Sequence, residues 1–260
     1  MENLRRYGSP PFRVALLHGG PGAPGEMAPV ARGLSSAMGV LEPLQTAASL
    51  DGQVAELKDV LEAHAGLPVA LVGSSWGALL GFVFAARYPH LVRKLVLVGS
   101  GPFEEKYAAA ITQTRLSRLS EAEARETIDL RRALADAATP DKGAIFARLG
   151  RLLARADSFD PLTPDDEVLD YQPGINQSVW ADAAKLRVSG ELLALGRKVA
   201  CPVVAVHGDY DPHPADGVRE PLATVLSDFR FVLQRGCGHH PWIERLARGE
   251  FYRILNEELL

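Results

Sequence analysis

The chain has 260 residues, of which 47% are hydrophobic and 23% charged, and it carries a formal net charge of -4. That length buries a sizeable core without disulfides or metal, and the mild acidity argues against the basic stripe that nucleic-acid binding needs. Two cysteines, Cys201 and Cys237, are too few for a disulfide framework and have no companion ligands at zinc spacing.

The first twenty residues lack an uninterrupted apolar stretch followed by a small-residue cleavage site, and no segment reaches the length of a membrane span. A cytoplasmic location is therefore expected, with neither membrane nor nucleic acid as partner. The first apolar run, FRVALL from Phe12, leads into HGGPG at residues 18–22. Three glycines and a proline leave little side chain to pack, so this loop is built to bring backbone close to something.

A helix is expected over about residues 25–38, with a return strand at GVLEPLQ from Gly39. In DGQVAELKDVLEAH, Val54, Leu57, Val60 and Leu61 share one helical face. The runs LPVALVG, VRKLVLVG, CPVVAVHG and FRFVLQ are short and nearly continuously apolar, as strands buried on both faces of a parallel sheet read. Strands alternating with helices imply an open parallel α/β sheet.

The strand rhythm stops between residues 103 and 198, where the chain becomes rich in alanine, arginine and leucine. Ser120 and Glu123 have capping-box spacing, and Thr163 with Pro164 marks another helix start. The chain thus divides into a first core segment (1–102), a helical insertion (103–198) and a second core segment (199–260).

GSSWG at residues 73–77 fits Gly-x-Ser-x-Gly between a buried strand and a helix. That context puts a serine on a tight strand-to-helix turn, which makes Ser75 the candidate nucleophile, whereas Ser74 has the wrong spacing. A serine hydroxyl needs a base, and the base needs an orienting acid. Asp211 in HGDYDP lies just past one strand and His239 in GCGHHPW just past the next. The chain order serine, acid, histidine is that of one known triad arrangement. Asp209 rivals Asp211, and His240 rivals His239; His64, His207 and His213 read as structural or exposed, and Cys237 as packing.

Attack on a carbonyl creates an oxyanion, and backbone N–H donors aimed at it contribute about 3 to 4 kcal/mol each. One donor is expected from Trp76, the residue after the nucleophile, and the other from HGGPG. Gly20 is the first choice there and Gly19 the second, since glycine lets backbone approach a substrate without a Cβ in the way. Pro21 would rigidify the turn, and a cis Gly20–Pro21 bond is one form it can take.

Together HGGPG, GSSWGALLGFVFAARYP, HGDYDP and GCGHHPWIE resemble the α/β-hydrolase superfamily, and HGGPG with a Ser-Trp-Gly elbow resembles its proline iminopeptidase branch most. The resemblance implies an α/β-hydrolase fold, with the helical insertion as a cap following the strand after the nucleophile helix. Only about a dozen residues precede FRVALL, so the N-terminal hairpin of the family is expected to be missing and the sheet trimmed to about six strands. The edge so left could be covered by the N-terminal segment or by a homodimer.

A serine hydrolase working through an acyl-enzyme is the function expected, with no cofactor or metal. The first substrate class is a small amide with a free amino terminus, such as an N-terminal proline peptide. Asp166, Glu167 and Asp170 in the acidic run DDEVLD could meet the substrate ammonium; the plainer reading is that these acids favour a helix N-terminus and face water. Trp180, with Phe159 and Tyr171, could line the pocket or form the core of the small lobe. The alternatives are a carboxylesterase or lactonase on small apolar esters, and a hydrolase-fold protein that binds a small ligand without turnover.

Overall fold

The computed structural model describes residues 3–136, 138–140, 142–162 and 172–260. Its centre is a seven-stranded sheet. In chain order the strands are β1 (Leu4–Tyr7), β2 (Phe12–Leu17), β3 (Gly39–Pro43), β4 (Val69–Ser74), β5 (Val92–Val98), β6 (Val203–Gly208) and β7 (Phe229–Gln234). The spatial order is β1-β3-β2-β4-β5-β6-β7, and every neighbouring pair is parallel except β1 with β3.

The extra strand corrects the expectation of about six. LRRY is short and carries two arginines, so it shows little hydrophobic pattern, yet it pairs from Leu4 with Pro43 to Tyr7 with Val40. Tyr7 donates its hydroxyl to the buried Glu42 on β3 at 2.8 Å. The N-terminal segment therefore covers the edge that β3 would otherwise expose.

Period-2 alternation sorts the strand side chains onto two faces. Ala15, Leu17, Leu71, Leu95, Leu97 and Ala205 face one cluster, shared with α2 (Leu50–His64) and α3 (Trp76–Arg87). Val14, Leu16, Val72, Val96, Val98 and Val206 face the other, covered by α1 (Ala28–Leu34) and a C-terminal helix. Because both faces are covered, the central strands β4 and β6 are buried throughout and nearly all apolar.

Helix α1 is shorter than expected, because Gly25 has φ +95 and Pro29 sits in the first helical turn. Between β5 and β6 run α4 (Glu105–Ala108), α5 (Ile111–Ser117), α6 (Glu121–Ala135), α7 (Lys142–Asp157), α8 (Pro173–Ser189) and α9 (Glu191–Ala194). The Ser120–Glu123 capping box forms at the start of α6. Thr163, Pro164 and the acidic run with Asp166, Glu167 and Asp170 lie outside the described residues, as does Tyr171. Helices α10 (Asp216–Val225) and α11 (Arg248–Leu259) complete the chain. No described helix is long and apolar enough to cross a membrane.

Candidate active site

The carboxyl ends of β2, β4, β5, β6 and β7 meet at one edge of the sheet. Ser75 sits in the turn between β4 and α3 with φ 51 and ψ -109, and it is the only described non-glycine residue with positive φ. Such a conformation costs of order 1–3 kcal/mol and persists only where the surroundings hold it. Here Ser75 N–H donates to Val98 O at 2.8 Å. Gly77, one residue into α3 beyond Trp76, lies so close to β2 that a Cβ would stand 2.1 Å from Leu17 O.

Asp211 follows β6 and His239 follows β7. His239 Nδ1 lies 2.7 Å from Asp211 Oδ2, and since a carboxylate only accepts, the imidazole donates there and leaves Nε2 as its acceptor. Gly99, directly after β5, brings its backbone against this ring: a Cβ there would stand 3.0 Å from His239 Nδ1. His239 and Asp211 are both more than nine-tenths buried.

Their charges are coupled. Burial alone would pull the His239 imidazole down, but the neighbouring Asp211 carboxylate outweighs it and holds the histidine above its usual range. Burial would raise Asp211, and the histidines around it hold it well below the ordinary carboxylate value instead. The pair is thus built to carry a proton on the imidazole beside an ionised carboxylate.

A third member was not legible in the sequence. His213 donates to the other carboxylate oxygen of Asp211, from its backbone N at 2.9 Å and its Nδ1 at 2.8 Å. Its ring lies 4.6 Å from that of His239. Burial pushes His213 down to about 4, so it remains neutral at physiological pH. His207 closes the cluster by donating Nε2–H to His213 O at 2.8 Å. Asp211, His213 and His239 present donor atoms within 4.8 Å of one another, and both Nδ1 atoms hydrogen-bond the carboxylate.

The rivals fall elsewhere. Asp209 accepts from Cys237 N and faces Arg235, while His240 turns toward Glu26, with Nε2 3.3 Å from its carboxylate. Cys237 is buried, which pushes its thiol up and suits a packing role. Trp180 packs edge-on against Trp76 at 5.5 Å, and Trp76 in turn donates its indole N–H to Gln53.

In HGGPG, Gly19 N–H donates to Glu26 Oε2 at 2.6 Å, which removes Gly19 as a donor for a substrate. His18 is fully buried; its Nδ1 lies 2.8 Å from Gly19 O, and its Nε2 accepts from Gln45 N. Both polar groups of Gly19 are thereby occupied. Among the described residues, Gly20 N and Trp76 N donate to no acceptor. The Gly20–Pro21 bond is trans, against the cis form the sequence allows; among the described residues the cis bonds are Pro10–Pro11 and Leu67–Pro68.

A family model for the α/β hydrolase fold matches residues 13–246. The chain belongs to the α/β hydrolase family. Among solved α/β hydrolase structures, VinJ superposes with a TM-score of 0.66 at 19% identity, covering 99% of this chain and 95% of that one. A proline iminopeptidase from Mycobacterium smegmatis gives 0.63 at 20% identity, with 98% and 93% covered. Est816, an N-acyl homoserine lactone degrading enzyme, gives 0.63 at 15%, with 98% and 95% covered. At such identities the likeness is one of fold. No curated protein matches the sequence.

This α/β hydrolase anchors its histidine loop to the helical insertion. His239 N–H donates to Asp157 O at 2.8 Å, and the Asp157 carboxylate takes both prongs of Arg115 at 2.7 and 2.6 Å. Beneath the same loop, the fully buried Glu244 accepts from Gly238, Phe159 and Asp160 backbone N–H groups. Glu244→Ala leaves three donors without an acceptor and is expected to cost about 3 kcal/mol in chemical denaturation. Glu244→Gln, which keeps one oxygen, should lose less.

Proposed function

We propose that the protein is a serine hydrolase that works through an acyl-enzyme. The observation that carries this reading is the buried 2.7 Å hydrogen bond between His239 Nδ1 and Asp211, together with a serine held at positive φ in the turn after β4. Ser75 Oγ attacks the carbonyl carbon while its proton passes to His239 Nε2, and Asp211 stabilises the imidazolium that forms. Gly20 and Trp76 N–H groups receive the oxyanion. Collapse of the tetrahedral intermediate expels the leaving group, which takes the proton back from His239. Water then repeats the sequence on the acyl-enzyme and releases the acid.

Only neutral His239 can accept the serine proton, so kcat/KM should rise with pH. Asp211 stabilises the charged form, which puts the midpoint above histidine's ordinary 6.5. A profile that is flat through the neutral range would count against His239 as the base.

Two substrate readings have separate support. HGGPG and the fold shared with an iminopeptidase favour a small amide with a free amino terminus. A small apolar ester or lactone is favoured by Asp157: among the described residues of the insertion it is the acid that approaches His239, and Arg115 already neutralises it. The test is kcat/KM for prolyl p-nitroanilide beside p-nitrophenyl butyrate, with fluorophosphonate labelling of Ser75 as a common reference. Turnover of the prolyl amide selects the aminopeptidase, and turnover of the ester alone selects the esterase. A folded protein that neither labels nor turns over either compound would be a binding protein instead.

A further inference from the structure

The loop that carries His239 and the loop that carries Gly20 are joined by one side chain. Glu26, between HGGPG and α1, places Oε2 2.6 Å from Gly19 N and Oε1 3.3 Å from His240 Nε2. Its side chain is 18% exposed and that of His240 is 19%. The His240 ring is itself wedged between His239, at 4.7 Å, and Trp242, at 4.9 Å. A continuous set of contacts thus runs from the His239 ring through His240 and Glu26 to the backbone of Gly19.

What this does to Gly20 follows from peptide geometry. Gly19 O and Gly20 N belong to one planar unit and point to opposite sides of it. His18 Nδ1 holds the Gly19 carbonyl from one side, and Glu26 holds the Gly19 N–H one peptide earlier. With both fixed, the direction of Gly20 N–H is fixed as well. Gly19 must be glycine for this contact, since a Cβ would stand 2.3 Å from Glu26 Oε2.

The chemistry also constrains the partner. A bare carboxylate beside a developing oxyanion opposes it, so its charge must be drawn elsewhere, and Gly19 N–H and His240 do so. Consistent with this, burial alone would raise the Glu26 carboxyl, yet His240 and the Gly19 N–H together hold it below its usual range.

We infer that Glu26, held by His240, is a positioning residue for the oxyanion donor Gly20 and couples its placement to that of the His239 loop. The inference rests on the hydrolase reading above. It predicts a loss in the transition state rather than in ground-state binding, because Glu26 contacts neither the nucleophile nor the base.

The experiment measures p-nitrophenyl butyrate hydrolysis and inhibition by butylboronic acid, whose tetrahedral serine adduct mimics the oxyanion, in wild type, Glu26→Ala, Glu26→Gln, His240→Ala and the Glu26→Ala/His240→Ala double variant. Glu26→Ala should lower kcat by about 10- to 100-fold, with KM within about twofold and the boronate Ki raised in parallel. Glu26→Gln keeps an oxygen for Gly19 N–H and should stay within about threefold of wild type. His240→Ala should be intermediate, and the double variant no worse than Glu26→Ala alone.

An undiminished kcat in folded Glu26→Ala would overturn the inference, as would equal losses in the alanine and glutamine variants or fully additive losses in the double one. Should Glu26→Ala fail to fold, Glu26→Leu serves in its place under the same criteria. Absence of Ser75-dependent turnover of both p-nitrophenyl butyrate and prolyl p-nitroanilide, with no fluorophosphonate labelling of wild type, ends the hydrolase reading and this inference with it; wild-type turnover of either substrate with an undiminished Glu26→Ala ends this inference alone.

Discussion

Ser75→Ala is expected to lower kcat/KM for p-nitrophenyl butyrate by about 10⁴- to 10⁶-fold, with the fold intact. In the proposed mechanism the Ser75 hydroxyl oxygen is the atom that bonds to the carbonyl carbon, so without it only the proposed oxyanion donors and simple binding remain, and these give roughly 10³ to 10⁴ over water in comparable sites. KM for any residual reaction should change little, because one hydroxyl adds little to ground-state binding. Circular dichroism and the melting temperature should match wild type, since alanine keeps the Cβ and therefore the strain at φ 51.

Ser75→Gly separates strain from chemistry. It should be as inactive as the alanine variant but about 1 kcal/mol more stable than it, because glycine adopts this conformation without steric cost. A parallel test concerns the acid. Asp211→Asn should reduce kcat by about 10⁴-fold by favouring the wrong imidazole tautomer. The residual activity should titrate at lower pH than wild type, since the carboxylate that lifts His239 is gone while its burial remains. Residual activity with an unmoved midpoint would mean that another group sets the profile.

The sheet was legible because β2, β4, β5 and β6 are largely buried and read as short, nearly continuous apolar runs. Strand β1 was not, because its evidence is a pairing with β3 rather than a pattern of its own. The same division holds at the site. Ser75, Asp211 and His239 each follow a strand at a spacing that stands in the local sequence, and so does the Ser120–Glu123 cap. Glu26 with His240, Asp157 with His239, and Glu244 with Phe159 join positions far apart in the chain, and no local signature announces them. His213 lies two residues from Asp211, but its identity as a carboxylate partner depends on the turn that follows β6. That Gly19 N–H is occupied likewise depends on an acceptor outside HGGPG, Glu26.

Gly77→Ala should be strongly destabilising, by about 4 kcal/mol or more. Gly77 is helical in α3, so intrinsic propensity alone would make alanine more stable by up to about 1 kcal/mol. Sterics point the other way: the added Cβ would stand 2.1 Å from Leu17 O, 2.6 Å from Leu17 C and 2.7 Å from His18 O. All three are backbone atoms of β2 or of the residue that opens HGGPG, and none can rotate aside as a side chain would. Relief requires α3 to back away from the sheet, which withdraws the buried Trp76, Leu80 and Phe84 from the core and moves the turn holding Ser75. The matched control is Gly249→Ala in α11, where nothing lies within 4 Å of the new methyl. That variant should be neutral to about 1 kcal/mol more stable, so the denaturation midpoint should fall strongly for Gly77→Ala and hold or rise for Gly249→Ala. Equal shifts at both positions would show that helix propensity, not the close approach of α3 to β2, governs position 77.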